Sequence, residues 1–154
     1  MKSGQYRGGR FIIYNEIRGE EFIVNKPNGV TGLDTWNQNV SSSTNEVINL
    51  WSAIYTTINR CNVFLAGLSA NSSKVDAATA AAYTGEAELI RALCYYDLVQ
   101  MYAKPYTFDN GASPGVPLRL VAETDLTGAG SNDLARSTVA VSYTHLTLPT
   151  ILHV

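Results

Sequence analysis

Three sets of side chains have the types and spacing to do chemistry. The first is a carboxylate group near the N-terminus, Glu16, Glu20 and Glu21, around Arg18. Glycoside hydrolysis needs two carboxyls about 5–10 Å apart across a sugar, one of them with a pKa raised by burial. Glu20 and Glu21 are adjacent and point apart in any regular structure. An Arg18–carboxylate contact with solvated charge accounts for them equally well. The second set is Trp36 among Asp34, Asn37, Gln38 and Asn39. The apolar face of a pyranose stacks on an indole, and amides bond its hydroxyls, as pockets pair apolar walls with a few polar groups. Trp36, Asn37 and Asn39 are therefore candidate ligand contacts. The competing reading is a Trp that anchors its loop to neighbouring helices. The third set is the two cysteines, Cys61 and Cys94. On two antiparallel helices turning near Asn71 they would sit roughly 20 Å apart along the axis. A disulfide needs Cα atoms within about 7 Å, so they read as separate core residues.

The remaining chemistry depends on the C-terminus. His145 and His153 are the only histidines, and both fall in the segment 141–154, VSYTHLTLPTILHV. This segment is uncharged, Thr/Leu-rich and fits no helix beginning at Ser137. It reads as the translation of a transposase sequencing adapter running into a stop, with a natural C-terminal strand as the alternative. We set it aside as a non-native tail. Residues 1–140 then hold no histidine, which removes a Ser-His-Asp triad, a Cys-His pair and a His-ligated zinc. A G-x-S-x-G elbow and a phosphate-binding loop are also missing. These absences argue against the usual enzyme chemistries, and no metal or cofactor is expected.

The elements that would position Trp36 and the cysteines are helical. With 45% apolar and 16% charged residues and a net charge of −2, the profile is that of an ordinary globular domain. Nothing is basic enough to imply nucleic acid, and no apolar run is long enough to span a membrane. Residues 73–103 contain no Pro and are predicted to form a helix. Ala78, Ala82, Gly85, Leu89, Leu93 and Tyr96 recur at steps of three or four. Ser73 with Asp76 has capping-box spacing, and Pro105 stops the run. Gly85 in a helix interior costs about 1 kcal/mol, which close helix packing would compensate. A second helix is predicted over 44–68, opened by Ser43 and Glu46 as another capping box. Its stripe is Val47, Leu50, Ile54, Ile58, Asn62 and Leu65. The short turn between the two helices makes them antiparallel neighbours, like a tetratricopeptide unit. A lone hairpin cannot bury both faces, so apolar side chains should stay exposed. Phe11–Tyr14 is helix or strand by pattern alone. Asn28-Gly29 marks a turn, and 104–136 is a Pro/Gly-punctuated loop that includes Gly128 and Gly130.

The two helices also carry motifs. Gly85-Glu86-Ala87, Ile90-Arg91-Ala92, Tyr95-Tyr96-Asp97-Leu98-Val99 and Met101-Tyr102 resemble a signature of the SusD/RagB family. Ala103 departs from it, standing where the family usually has a helix-ending Gly. Trp51–Tyr55 with Ile58–Asn62 resembles the family block W-x-x-[LA]-Y-x-x-I-x-x-[AC]-N. Asn15–Glu21 resembles its E-x-R-G-[DE] segment, which favours a helix over 10–18 with Gly19 at positive φ beyond it. Gly115–Leu120 resembles G-[VI]-P-L, and Arg136–Val139 resembles R-x-[ST]-V, with Ser137 or Thr138 as the next N-cap.

The resemblance implies an all-α fold, in which residues 1–140 are part of a larger SusD-like helical domain. It also implies the family's biology: an outer-membrane, surface-exposed lipoprotein of Bacteroidota. Such a protein would be anchored through a lipidated Cys absent from this sequence. It would bind an oligosaccharide or other nutrient for a SusC-like TonB-dependent transporter. The alternative is a helical-repeat module that binds a protein or peptide and has no nutrient ligand.

Overall fold

The computed structural model describes residues 4–19, 21–23, 25, 32–124 and 133–144. Glu20, the Asn28-Gly29 turn, the glycines of 127–130 and the tail from His145 onward lie outside the described residues. Among the described residues, the helices in order include α1 Gly9–Glu16, α2 Leu33–Trp36, α3 Asn45–Ala70 and α4 Ala77–Tyr102. Two single 3₁₀ turns cover Ser72–Lys74 and Tyr106–Phe108. Among the described residues there is no strand, and Pro114 and Thr138 form an isolated antiparallel bridge. The fold is therefore all-α. None of the described helices is long and apolar enough to cross a membrane. The chain divides into two compact units, Met1–Tyr55 and Thr56–Val154.

In the first unit, Tyr6, Tyr14, Leu50 and Ile54 are buried. The apolar run at Phe11–Tyr14 is helical, inside α1. Tyr6 meets Phe11 edge-on, with ring centroids 5.6 Å apart. The expectation that Gly19 takes a positive φ is corrected: among the described glycines only Gly32 and Gly111 do so. Helix α1 instead ends at Ile17 in right-handed geometry, its N–H on the Ile13 carbonyl at 2.9 Å. The capping box at Ser43 and Glu46 is corrected too. Helix α3 is opened by Thr44, whose carbonyl accepts the Ile48 N–H at 3.1 Å and whose hydroxyl accepts the Ser41 N–H at 2.9 Å. The Glu46 carboxylate turns instead to Thr35, accepting its N–H at 3.1 Å and its hydroxyl. That N–H lies in the first turn of α2, where it has no intrahelical acceptor, and a charged acceptor satisfies it strongly.

In the second unit the C-terminal part of α3 runs antiparallel to α4. Arg91 reaches Asn62 and Phe64 meets Tyr83, so partners descend along α4 as they ascend along α3. Helix α4 begins at Ala77 rather than Ser73. Asp76 is its N-cap, accepting the Thr79 N–H at 2.9 Å. A lone carboxylate completes that cap, and Ser73 sits in the preceding 3₁₀ turn. At the other end Ala103 is extended (φ −122, ψ 166), which any residue can adopt, so no left-handed Gly is needed.

The buried face of α4 differs from the expected one. Ala87, Ala92, Cys94, Tyr95, Leu98 and Val99 are buried, with Asp97 among them. Ala78 and Ala82 are exposed, and Leu89 and Tyr96 are 48% and 47% exposed. Apolar residues ring this helix, so their period does not select a side; the partners do. A Cβ at Gly85 would meet nothing within 4 Å, so close packing is not its role. Along α3 the buried Ile58 and Asn62 lie on the expected stripe, joined by Cys61. Both cysteines are buried, and neither is in a disulfide. Val63, Phe64, Tyr83 and Leu89 remain exposed on the hairpin.

After α4 the chain folds back on itself. Arg136 donates to the Gly115 carbonyl and to the Tyr102 carbonyl at the end of α4, both at 2.6 Å. The Val139 N–H bonds the Ser113 carbonyl at 2.9 Å, and the Ala140 N–H bonds that of Gly111 at 3.0 Å. Residues 139–144 are helical, capped by Thr138, whose hydroxyl accepts the Val141 N–H at 3.2 Å. The expectation that 141 onward fits no helix is thus corrected over 141–144, where Ser142 is fully buried.

Candidate functional site

Trp36 is placed by a single helical turn. Gly32 starts that turn at φ +82, and a Cβ there would meet Ile17 Cδ1 at 2.6 Å and the Tyr14 ring at 3.3 Å. Both the backbone angle and the close approach require glycine. The Trp36 N–H closes the turn on the Gly32 carbonyl at 2.9 Å, and Asn37 caps it. Gln38 then takes φ 55, and the Asn39 N–H returns to the Asp34 carbonyl at 2.9 Å. The indole Nε1 donates to the Phe22 carbonyl at 3.2 Å, so its N–H already has a main-chain partner. The residue is 37% exposed; Asn37 and Asn39 are both exposed. The three candidate contacts therefore stand together on α2 and its exit turn. Together they present a half-exposed aromatic and two exposed carboxamides within one short segment. Anchoring and partial exposure coexist at Trp36.

The carboxylates form no comparable arrangement. Glu16 ends α1, and Glu16 and Glu21 are both exposed. Neither has the buried setting that an acid catalyst would need. Among the described residues no group of three or more His, Cys, Asp or Glu side chains could hold a metal ion.

The most connected polar constellation went unrecognised in the sequence. Asn59, Asn62, Arg91 and Tyr95 belong to the two helical motifs, and together they hold residues 119–123. The Asn59 amide donates to the Glu123 carbonyl at 2.8 Å and accepts the Glu123 N–H at 2.9 Å. Asn62 donates to the carbonyls of Arg119 at 3.0 Å and Val121 at 3.2 Å. Its oxygen accepts from Arg91 Nη1 at 2.9 Å, and Arg91 also lies 3.8 Å from Glu88. The Tyr95 hydroxyl donates to the Arg119 carbonyl at 2.8 Å and accepts the Arg119 N–H at 2.7 Å. Burial pushes the Tyr95 phenol up to about 12. One signal was present: an Asn in the apolar stripe of α3 must find partners when buried. Asn59, Asn62 and Tyr95 are spent on the protein's own backbone, and Arg91 on Asn62 and Glu88, so none is free to meet a ligand.

Comparison with known proteins adds the following. A family model, SusD-like, described as starch-binding associating with outer membrane, matches residues 7–147. Solved structures are similar over nearly the whole chain. A SusD superfamily protein from Bacteroides thetaiotaomicron matches with a TM-score of 0.82 at 25% identity, over 96% of this chain and 32% of its own. One from Bacteroides fragilis matches with a TM-score of 0.82 at 34% identity, over 92% of this chain and 32% of its own. A Bacteroides vulgatus protein assigned to sugar binding by name only matches with a TM-score of 0.79 at 28% identity, over 97% of this chain and 32% of its own. The chain thus spans about a third of the length of these structures. No curated protein matches it.

Proposed function

This chain belongs to the SusD-like family, and from that premise we propose that the whole protein binds a glycan at the bacterial outer membrane. It delivers that glycan, unaltered, to a SusC-like TonB-dependent transporter, and a lipidated Cys outside this sequence holds it at the cell surface. The observation that carries the reading is the family match over residues 7–147. The name of the Bacteroides vulgatus relative supports the ligand class. Within this chain Trp36, Asn37 and Asn39 are the proposed contacts: the exposed part of the indole meets a sugar face and the two carboxamides meet hydroxyls. The indole N–H stays on the Phe22 carbonyl, so it orients the ring rather than the ligand.

Calorimetric titration of the full-length protein against a panel of oligosaccharides tests this reading. At least one glycan should bind, and Trp36→Ala should weaken it by about 1–2 kcal/mol, roughly tenfold. If no glycan binds, the function is wrong. If a glycan binds equally well to Trp36→Ala, the function stands and the site is wrong. Release of shorter sugars by the purified protein would refute the absence of catalysis. Failure of the lipidated protein to co-purify with a TonB-dependent transporter would refute the delivery step.

A further inference from the structure

The bonds to residues 119–123 share a pattern. Every group held by Asn59, Asn62 and Tyr95 is main chain: the N–H and carbonyl of Arg119, the carbonyl of Val121, and the N–H and carbonyl of Glu123. These are alternate residues, 119, 121 and 123, of a segment that bends at Val121. Asn59 offers Glu123 one donor and one acceptor.

We propose that Asn59, Asn62 and Tyr95 act together as a main-chain clamp. In this role they fasten residues 119–123 across α3 and α4 as a strap, independently of the strap's own side chains. Leu120 and Val121 are 42% and 74% exposed, so their packing is not what holds it. Arg91 is the positioning residue. A guanidinium can only donate, so it draws the Asn62 oxygen and leaves the Asn62 NH₂ facing the strap carbonyls. The Arg119–Glu123 ion pair ties the two ends of the strap to each other. With three grips on one short segment, the strap opens and closes as a unit.

Amide hydrogen exchange on the 154-residue chain tests this, read at Arg119 and Glu123, with the amides of α4 as the control for folding. Asn62→Leu bonds neither amide, yet it should speed exchange at both by roughly tenfold, the scale of a lost set of hydrogen bonds. Tyr95→Phe, which keeps the buried ring, should also speed both. Val121→Ser should leave both at the parent rate. Acceleration confined to the Arg119 amide in Tyr95→Phe would overturn the unit, and unchanged rates in Asn62→Leu would overturn the clamp. Equal acceleration by Val121→Ser would show that side-chain packing holds the strap. If Asn62→Leu exposes the α4 amides, Tyr95→Phe decides the matter by the same criteria.

Discussion

Two glycines with opposite surroundings make a matched pair for mutation. Gly115 opens the Gly-Val-Pro-Leu segment. A Cβ added there would lie 2.5 Å from Ser142 Oγ, 2.8 Å from the Thr138 carbonyl oxygen and 3.0 Å from the Thr138 carbonyl carbon. Two of those atoms are main chain, and Gly115 is pinned on both sides. Its N–H meets the Ser137 carbonyl at 2.5 Å and its carbonyl accepts from Arg136 at 2.6 Å. The clash cannot be relieved by one rotamer change, so the 139–144 turn must shift. Overpacking of this kind costs about 1–3 kcal/mol, and the main-chain contacts put Gly115→Ala in the upper half of that range. For a chain of this size that lowers the thermal midpoint by roughly 4–12 °C.

Gly85 has open space around it in the interior of α4. Gly85→Ala should therefore add about 0.5–1 kcal/mol by restricting the unfolded chain and favouring the helix, raising the midpoint by roughly 1–4 °C. Far-UV circular dichroism melts of the two variants beside the parent chain read both effects. A Gly115→Ala variant as stable as the parent would refute the packing of 111–116 against 137–142. A destabilised Gly85→Ala would restore the close-packing role that its surroundings argue against.

Four further outcomes follow from the same structure. The Thr79 N–H holds the Asp76 carboxyl below its ordinary 3.8, so its contribution is present above about 3.8 and lost as pH falls through the lower folded value. Asp76→Ala should abolish that part of the acid-induced helix loss, as followed by circular dichroism. Burial raises Tyr95 from 10.0 to about 12, so its contribution is complete below pH 10 and is lost as pH rises toward 12. Tyr95→Phe should flatten the stability profile over that window in alkaline denaturation. Cys61 and Cys94 are buried, and burial pushes the Cys61 thiol up, so neither should react with an aromatic disulfide reagent until the chain unfolds; rapid labelling of the native chain would contradict the core. Resequencing the gene across Ala140 should replace the adapter-like VSYTHLTLPT with other codons, and recovery of the same reading frame from genomic DNA would refute its foreign origin.

The helical class and the two long helices were legible because their signals are local. Steps of three or four along Leu50, Ile54 and Ile58 mark a buried face whatever packs on it, and Pro105 stops a helix through its own ring. The motif blocks identified the family for the same reason, since each is a contiguous run. The turn that carries Trp36 is also local: Gly32 to Asn39 lie within eight residues of chain. What surrounds these elements was not legible in one dimension. Helix α4 has apolar residues on every side, so only α3 and the 119–123 strap could choose Cys94, Tyr95 and Leu98 over Leu89 and Tyr96 as its core. Glu46 has the spacing of a capping-box partner, but Thr35 lies near enough to claim its carboxylate. The roles of Asn59, Asn62, Arg91 and Tyr95 required the chain to return some sixty residues after Asn59 and lay its backbone across them. Composition and period encode which segments become helices, because that depends on neighbours in sequence. Which face is buried, and which polar side chains are consumed by the backbone, depends on neighbours in space, and only the folded chain decides that.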